Sequence, residues 1–200
     1  MNTYAPPGMG TVYRAVLDTM AEHGPHRPPI AQIARLADTN RQFLYRNWPD
    51  QRVLILKACT AELDRLLQRA SNAGYELSPP CMLVAQIVRA ARLVREHPVM
   101  VATARTNPDL LLSALTHPDT SLHLRALLWL QNRLYVRYPG MAEREPMSWT
   151  LLAMASPFAL APPPSHAPTD RTVLDARLSL YLHTCLNTSH DGPCPSTPRD

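Results

Sequence analysis

The stretch IAQIARLADTNRQFLYRNWPD, residues 30–50, decides the reading of this chain. Ile30, Ile33, Ala34 and Ala37 recur at helical spacing, which predicts a short helix with one apolar face. Asp38-Thr39-Asn40 then makes a tight turn, and Asn40 stands where a side-chain oxygen can cap the next helix. That helix runs from about Arg41 to Asn47 and buries Leu44 and Trp48. Its other side carries Arg41, Gln42, Phe43, Tyr45, Arg46 and Asn47. Pro49-Asp50 restarts the chain.

Upstream, Val12, Ala15, Val16, Thr19 and Met20 form the face of an earlier helix that Gly24-Pro25 ends. Downstream, Leu56, Cys59, Leu63, Leu66, Leu67 and Ala70 mark a long helix over about 50–72. Further helices fit about 81–96, 99–105, 108–116, 121–138, 146–161 and 170–187. In the fifth, Arg89, Arg92, Arg95 and Glu96 read as a solvent face. Residues 146–161 are apolar almost all round, and Pro157 should bend or end that helix. Residues 1–10 read as an arm, 161–168 (APPPSHAP) as a stiff linker, and 191–200 as a disordered tail.

No strand-like alternation occurs, and only 6 glycines against 21 prolines leave little for hairpins. The fold class is therefore all-α. A three-helix unit over 1–50 precedes a helical bundle over 51–190, with the helix at 51–72 connecting them. Hydrophobic residues at 46% and charged residues at 18% suit a packed globular chain. A formal charge of +4 permits a nucleic-acid partner without demanding one. Cys59, Cys81, Cys185 and Cys194 show no CxxC spacing, and His97, His117 and His123 are scattered, so no metal or cofactor is expected. No catalytic triad or carboxylate pair stands out, which points away from an enzyme. No apolar run reaches membrane-span length and no signal pattern opens the chain, so a cytoplasmic location is expected.

A long helix, a short helix, a tight turn and a short polar-faced helix have the outline of a helix-turn-helix. In such a unit Arg41 can read guanine, Gln42 adenine, and Phe43 can pack on thymine methyls. Tyr45 and Asn47 suit phosphate oxygens.

Residues 30–58 also resemble the TetR family of transcriptional regulators. Its second helix reads roughly I-x-x-I-A-x-x-A, matched by Ile30, Ile33, Ala34 and Ala37. Its third helix ends in L-Y-x-H-F, matched in part by Leu44, Tyr45, Asn47 and Trp48. The resemblance implies DNA-contacting roles for Asn40, Arg41, Gln42, Phe43, Tyr45, Asn47, Gln51 and Lys57. It implies a homodimer on a palindromic double-stranded DNA operator, joined through the 146–161 segment and the final helix. It also implies a repressor released by a small hydrophobic effector. That effector site would be lined by Met82, Gln86, Met100, Arg105, His123, Leu127 and Trp149, with any acid group facing Arg105.

The chain departs from the family at instructive places. Asp38 stands at the usual turn glycine, Asn40 at a serine, Asn47 at a histidine, and Gln51 at a phosphate-contacting lysine. Pro28 and Pro29 stand where a hydroxyl residue often meets phosphate. Losing cationic contacts weakens binding and flattens its salt dependence. A second reading therefore stays open: a module of the same fold that binds a ligand or a protein but no DNA.

Overall fold

The computed structural model describes residues 8–25, 28–74, 76–77, 79–116, 121–161 and 168–186. Most of the expected arm and linker, and the whole tail, lie outside the described residues. Among those described are ten α-helices and no strand. They are α1 (Met9–His23), α2 (Ile30–Leu36), α3 (Arg41–Asn47), α4 (Gln51–Ala70), α5 (Pro79–Arg95), α6 (Pro98–Thr106), α7 (Pro108–Thr116), α8 (Ser121–Arg137), α9 (Arg144–Leu160) and α10 (Pro168–Cys185). The all-α class is what the apolar spacing predicted, and the N-terminal helix-turn-helix is what the helix outline and the family resemblance together implied.

The helix ends have local causes. Gly24 closes α1 at φ 83°, and its backbone N–H caps Met20. The side chains of Asn40 and Asp50 cap α3 and α4, each accepting a backbone N–H at 2.8 Å. His97 caps α6, its Nδ1 accepting the Val99 N–H at 3.3 Å.

Two main cores organise the chain. The head core holds Val12, Val16, Met20, Ile33, Leu44 and Trp48 from α1–α3, together with Leu54 and Ala58 of α4 and Val99 of α6. The body core is built by α5, α8, α9 and α10, with Leu83, Ile87, Leu134, Leu151, Leu178 and Leu182 buried. Helix α4 runs between them. Its first half faces the head through Leu54 and Ala58, and its second half faces the body through Leu66, Leu67 and Ala70. The expected face began instead at Leu56, which is substantially exposed.

Helices α9 and α5 bear on further expectations, since Pro157 does not end α9. Helix α9 passes through Pro157 and continues to Leu160. Pro157 lies on an exposed side, as does Ala153, whose carbonyl loses its helical donor, so water can replace the missing bond. Helix α9 packs on α5, α8 and α10. Ser148, Leu151 and Ala155 are its fully buried residues, and Met147, Trp149, Leu152, Met154, Phe158 and Leu160 stay half-buried. Exposed apolar residues lie instead on α8 (Leu124, Leu128, Tyr135, Val136) and on α10 (Val173, Leu180, Tyr181).

Arg95 is fully buried rather than solvated. Its guanidinium donates to Asp175 on α10 at 2.8 Å and to the Phe158 carbonyl on α9 at 2.9 Å. Arg92 donates to the other Asp175 oxygen at 2.6 Å. One carboxylate thus joins two arginines of α5 to α10, and Arg95 extends the tie to α9.

Candidate nucleic-acid interface

Helix α3 is held from behind and open in front. Leu44 and Trp48 are buried in the head core, and Trp48 meets Tyr13 of α1 edge-on at 6.1 Å between ring centres. Asn40, Arg41, Gln42, Tyr45, Arg46 and Asn47 are exposed, while Phe43 is half-buried against the core. Exposed Arg35 of α2 and Arg52 of α4 flank this helix in sequence. With Arg41 and Arg46 they set four cationic groups against the carboxylates of Asp38 and Asp50. Sequence reading passed over Arg35 and Arg52, although each stands within two residues of an expected helix end.

Not every expected contact residue is equally available. The Asn47 amide donates back to the Phe43 carbonyl at 2.8 Å. Gln51 is half-buried and donates to the Pro28 carbonyl at 2.5 Å, tying the start of α4 to the segment before α2. Lys57 is exposed, about a turn and a half further along α4.

The turn between α2 and α3 shows why a glycine fits there. Asp38 has φ 48°, the left-handed region. Its N–H reaches the Arg35 carbonyl at 3.2 Å, and the Thr39 N–H reaches Ala34 at 2.9 Å. These paired bonds make a Schellman stop with Asp38 at its left-handed position. Asp38→Gly relieves that strain but frees the unfolded backbone. The expected gain is about 1 kcal/mol, a Tm rise of roughly 2–4 °C for a chain of this size. A thermal melt that moved downward would contradict the presence of strain at Asp38.

A cavity of about 380 Å³ lies between head and body. Its walls come from α1 (Leu17), α4, α5, α6, α8 and α9. Of the residues expected to line an effector site, Met100 and His123 do so. Met82, Gln86, Arg105, Leu127 and Trp149 do not. On α5 only Val94 reaches the cavity, and Met82 lies roughly 18 Å from it along the helix. Gln86 is buried as a brace, donating to the Ser71 carbonyl at 2.8 Å where α4 ends. Arg105 is exposed, Leu127 is buried elsewhere, and Trp149 is half-buried outside the wall.

Polar groups gather where α4 meets α6. Glu62 is held by Arg65 through two hydrogen bonds of 2.8 and 2.5 Å, and His97 Nε2 lies 3.1 Å from it. Burial alone would raise the Glu62 carboxyl, but the Arg65 and His97 contacts outweigh it and hold it below its ordinary value. Burial pulls His97 down despite Glu62, so its imidazole is neutral at neutral pH. Because Nδ1 accepts the Val99 N–H, Nε2 carries the proton and donates it to Glu62. Burial likewise lowers His123. Burial, then the Glu62 charge, pushes the Cys59 thiol up to about 11.

No protein-family model matches the chain. An uncharacterized HTH-type transcriptional regulator of Mycobacterium bovis is 31% identical over 86 residues, covering 43% of this chain and 44% of that protein. A counterpart from Mycobacterium tuberculosis shows the same figures. The chain thus matches less than half the length of these relatives. Among solved structures, a transcriptional regulator from Rhodococcus sp. Rha1 aligns with a TM-score of 0.59 at 18% identity, covering 90% of this chain and 96% of that one. The fatty acid degradation regulator FadR of Bacillus halodurans aligns with a TM-score of 0.52 at 14% identity, covering 92% and 100%. The chain has the all-helical fold of known transcriptional regulators, with a helix-turn-helix at its N-terminus, and is similar in part of its sequence to HTH-type regulators.

Proposed function

We propose that this protein is a TetR-like, homodimeric DNA-binding repressor in the cytoplasm, released by a small hydrophobic effector. The observation that carries the reading is α3: a short helix pinned by Leu44 and Trp48, with Arg41, Gln42 and Tyr45 exposed on its free side. Arg41 and Gln42 read bases, while Tyr45, with Arg46 and Arg52, meets phosphates. The exposed apolar residues of α8 and α10 support a two-fold four-helix interface. Such a dimer presents two copies of α3 to successive major grooves. The cavity supports the effector. Leu17, Leu56 and Val99 lie in its wall, so an occupant touches the helices that carry the head. Among the described residues, no helix is long and apolar enough to cross a membrane.

A second reading, the same fold without DNA binding, is favoured by one observation. Asn47 and Gln51 spend their amides on backbone carbonyls, and Asp38 places a negative charge beside α3.

The test is binding to the DNA upstream of the protein's own gene across a salt series. The native protein is expected to bind with a negative salt slope. Arg41→Ala should lose roughly tenfold or more in affinity for the preferred site, with little change on unrelated DNA. Leu128→Glu with Leu180→Glu should sediment as a monomer and lose operator binding. Absence of binding even at low salt would favour the second reading, and a dimer that survives both glutamates would overturn the interface.

A further inference from the structure

We infer that the cavity between head and body is built for an uncharged lipophilic molecule and excludes the carboxylate ion. The inference deepens the effector part of the proposed function and rests on it. It runs against the sequence expectation of an acid group facing Arg105, because Arg105 stands outside the wall.

Among the described residues the wall contains neither arginine nor lysine. Most of it is aliphatic, from Leu17 at the head to Leu152 and Leu160 in the body. Its polar side chains are Cys59, Glu62, His97, His123 and Ser156. Nearly all have work within the protein. Both Glu62 oxygens accept from Arg65, and one also faces His97. Both His97 nitrogens are used, one on Val99 and one on Glu62. The Ser156 hydroxyl donates to the Leu152 carbonyl at 2.7 Å.

The charge balance follows from these contacts. Among the described wall residues Glu62 alone is ionised at neutral pH, and its charge is matched by Arg65. The thiol of Cys59 and the rings of His97 and His123 are neutral there, each held so by burial. A ligand carboxylate would give up its water and meet no cation, and Glu62 would repel it. A ligand ammonium would find Glu62 already paired. An uncharged molecule loses little water and gains the aliphatic wall. The cavity volume is at the small end for drug-sized ligands, which suits a medium-length chain or a compact ring system.

Three probes of equal chain length separate the possibilities: decanol, decanoate and decylammonium, each titrated calorimetrically into the full-length protein at pH 7.5. Methyl decanoate serves as an uncharged ester of the acid. Decanol and methyl decanoate are expected to bind and to raise the Tm, with decanoate and decylammonium at least tenfold weaker. Ala126→Leu, which narrows the cavity, should weaken decanol severalfold. If that variant folds poorly, Ala159→Leu provides the same check from another helix. Decanoate or decylammonium binding as tightly as decanol would overturn the inference, as would failure of every probe to bind. Binding is read on the protein alone, so these outcomes are distinct from success or failure of operator binding.

Discussion

Asp175→Ala is expected to destabilise the protein by about 3–5 kcal/mol, the range for removing one partner of a buried ion pair. The Asp175 carboxylate is 9% exposed and the Arg95 side chain 0% exposed. Arg95 carries a permanent charge, so it cannot escape by losing a proton. With Asp175 gone, the Phe158 carbonyl alone faces that charge. The larger part of the loss is therefore the cost of stranding Arg95. Asp175→Asn keeps the shape and loses the charge, and should recover little. Arg92→Ala should cost much less, because Arg92 is 28% exposed and its removal still leaves Arg95 paired. Urea unfolding of the three variants checks the order. Proteolysis near α10 should speed up in the Asp175 variants, since that helix is what the carboxylate ties down. A loss below about 1 kcal/mol for Asp175→Ala would mean that water reaches Arg95 readily.

Gly24→Ala is expected to cost about 2–4 kcal/mol, a large effect for one methyl group. Two effects contribute. The backbone at Gly24, φ 83° and ψ 171°, lies where residues with a Cβ rarely go, at about 1–3 kcal/mol. The added Cβ would also stand 2.6 Å from Thr106 Oγ1 and 3.2 Å from Thr106 Cβ, so either the Thr106 side chain or the α1–α6 packing must shift. A double-mutant cycle tells them apart. Thr106→Ala removes the hydroxyl contact, so the double variant should regain the steric part and keep the backbone part. Full recovery would mean that the backbone at Gly24 carries no penalty. No recovery would mean that the methyl group never meets Thr106.

The sequence made the helices legible because each apolar face repeats at 3.6 residues and its ends carry Gly, Pro, Asn or Asp. It made α3 legible because Asn40, Leu44 and Trp48 define a cap and two anchors within one short segment. What it hid was long-range. Arg95 reads as surface because its partner Asp175 lies 80 residues away, and Gln86 reads as a pocket anchor because nothing local shows that it braces the end of α4. The all-round apolarity of α9 suggests a partner chain, and spacing alone does not show how much of it α5, α8 and α10 take up. Met82 and Gln86, expected at an effector site, stand away from the stretch of α5 where Val94 reaches the cavity. Helical spacing reports which side is apolar, not where packing leaves space. Gln51 and Asn47 show the limit at the candidate interface, where an amide that spacing leaves free is already bonded to a carbonyl.

Val99 sits in the core of the head, although it belongs to a helix that begins fifty residues beyond Trp48. Leu54 and Ala58 join it there from α4. A reader head cut from the chain at residue 50 would therefore be missing part of its own interior. If α3 reads DNA as proposed, exchanging its specificity between relatives requires transplanting matching pieces of α4 and α6 along with it, so such a surface is not a separable cassette.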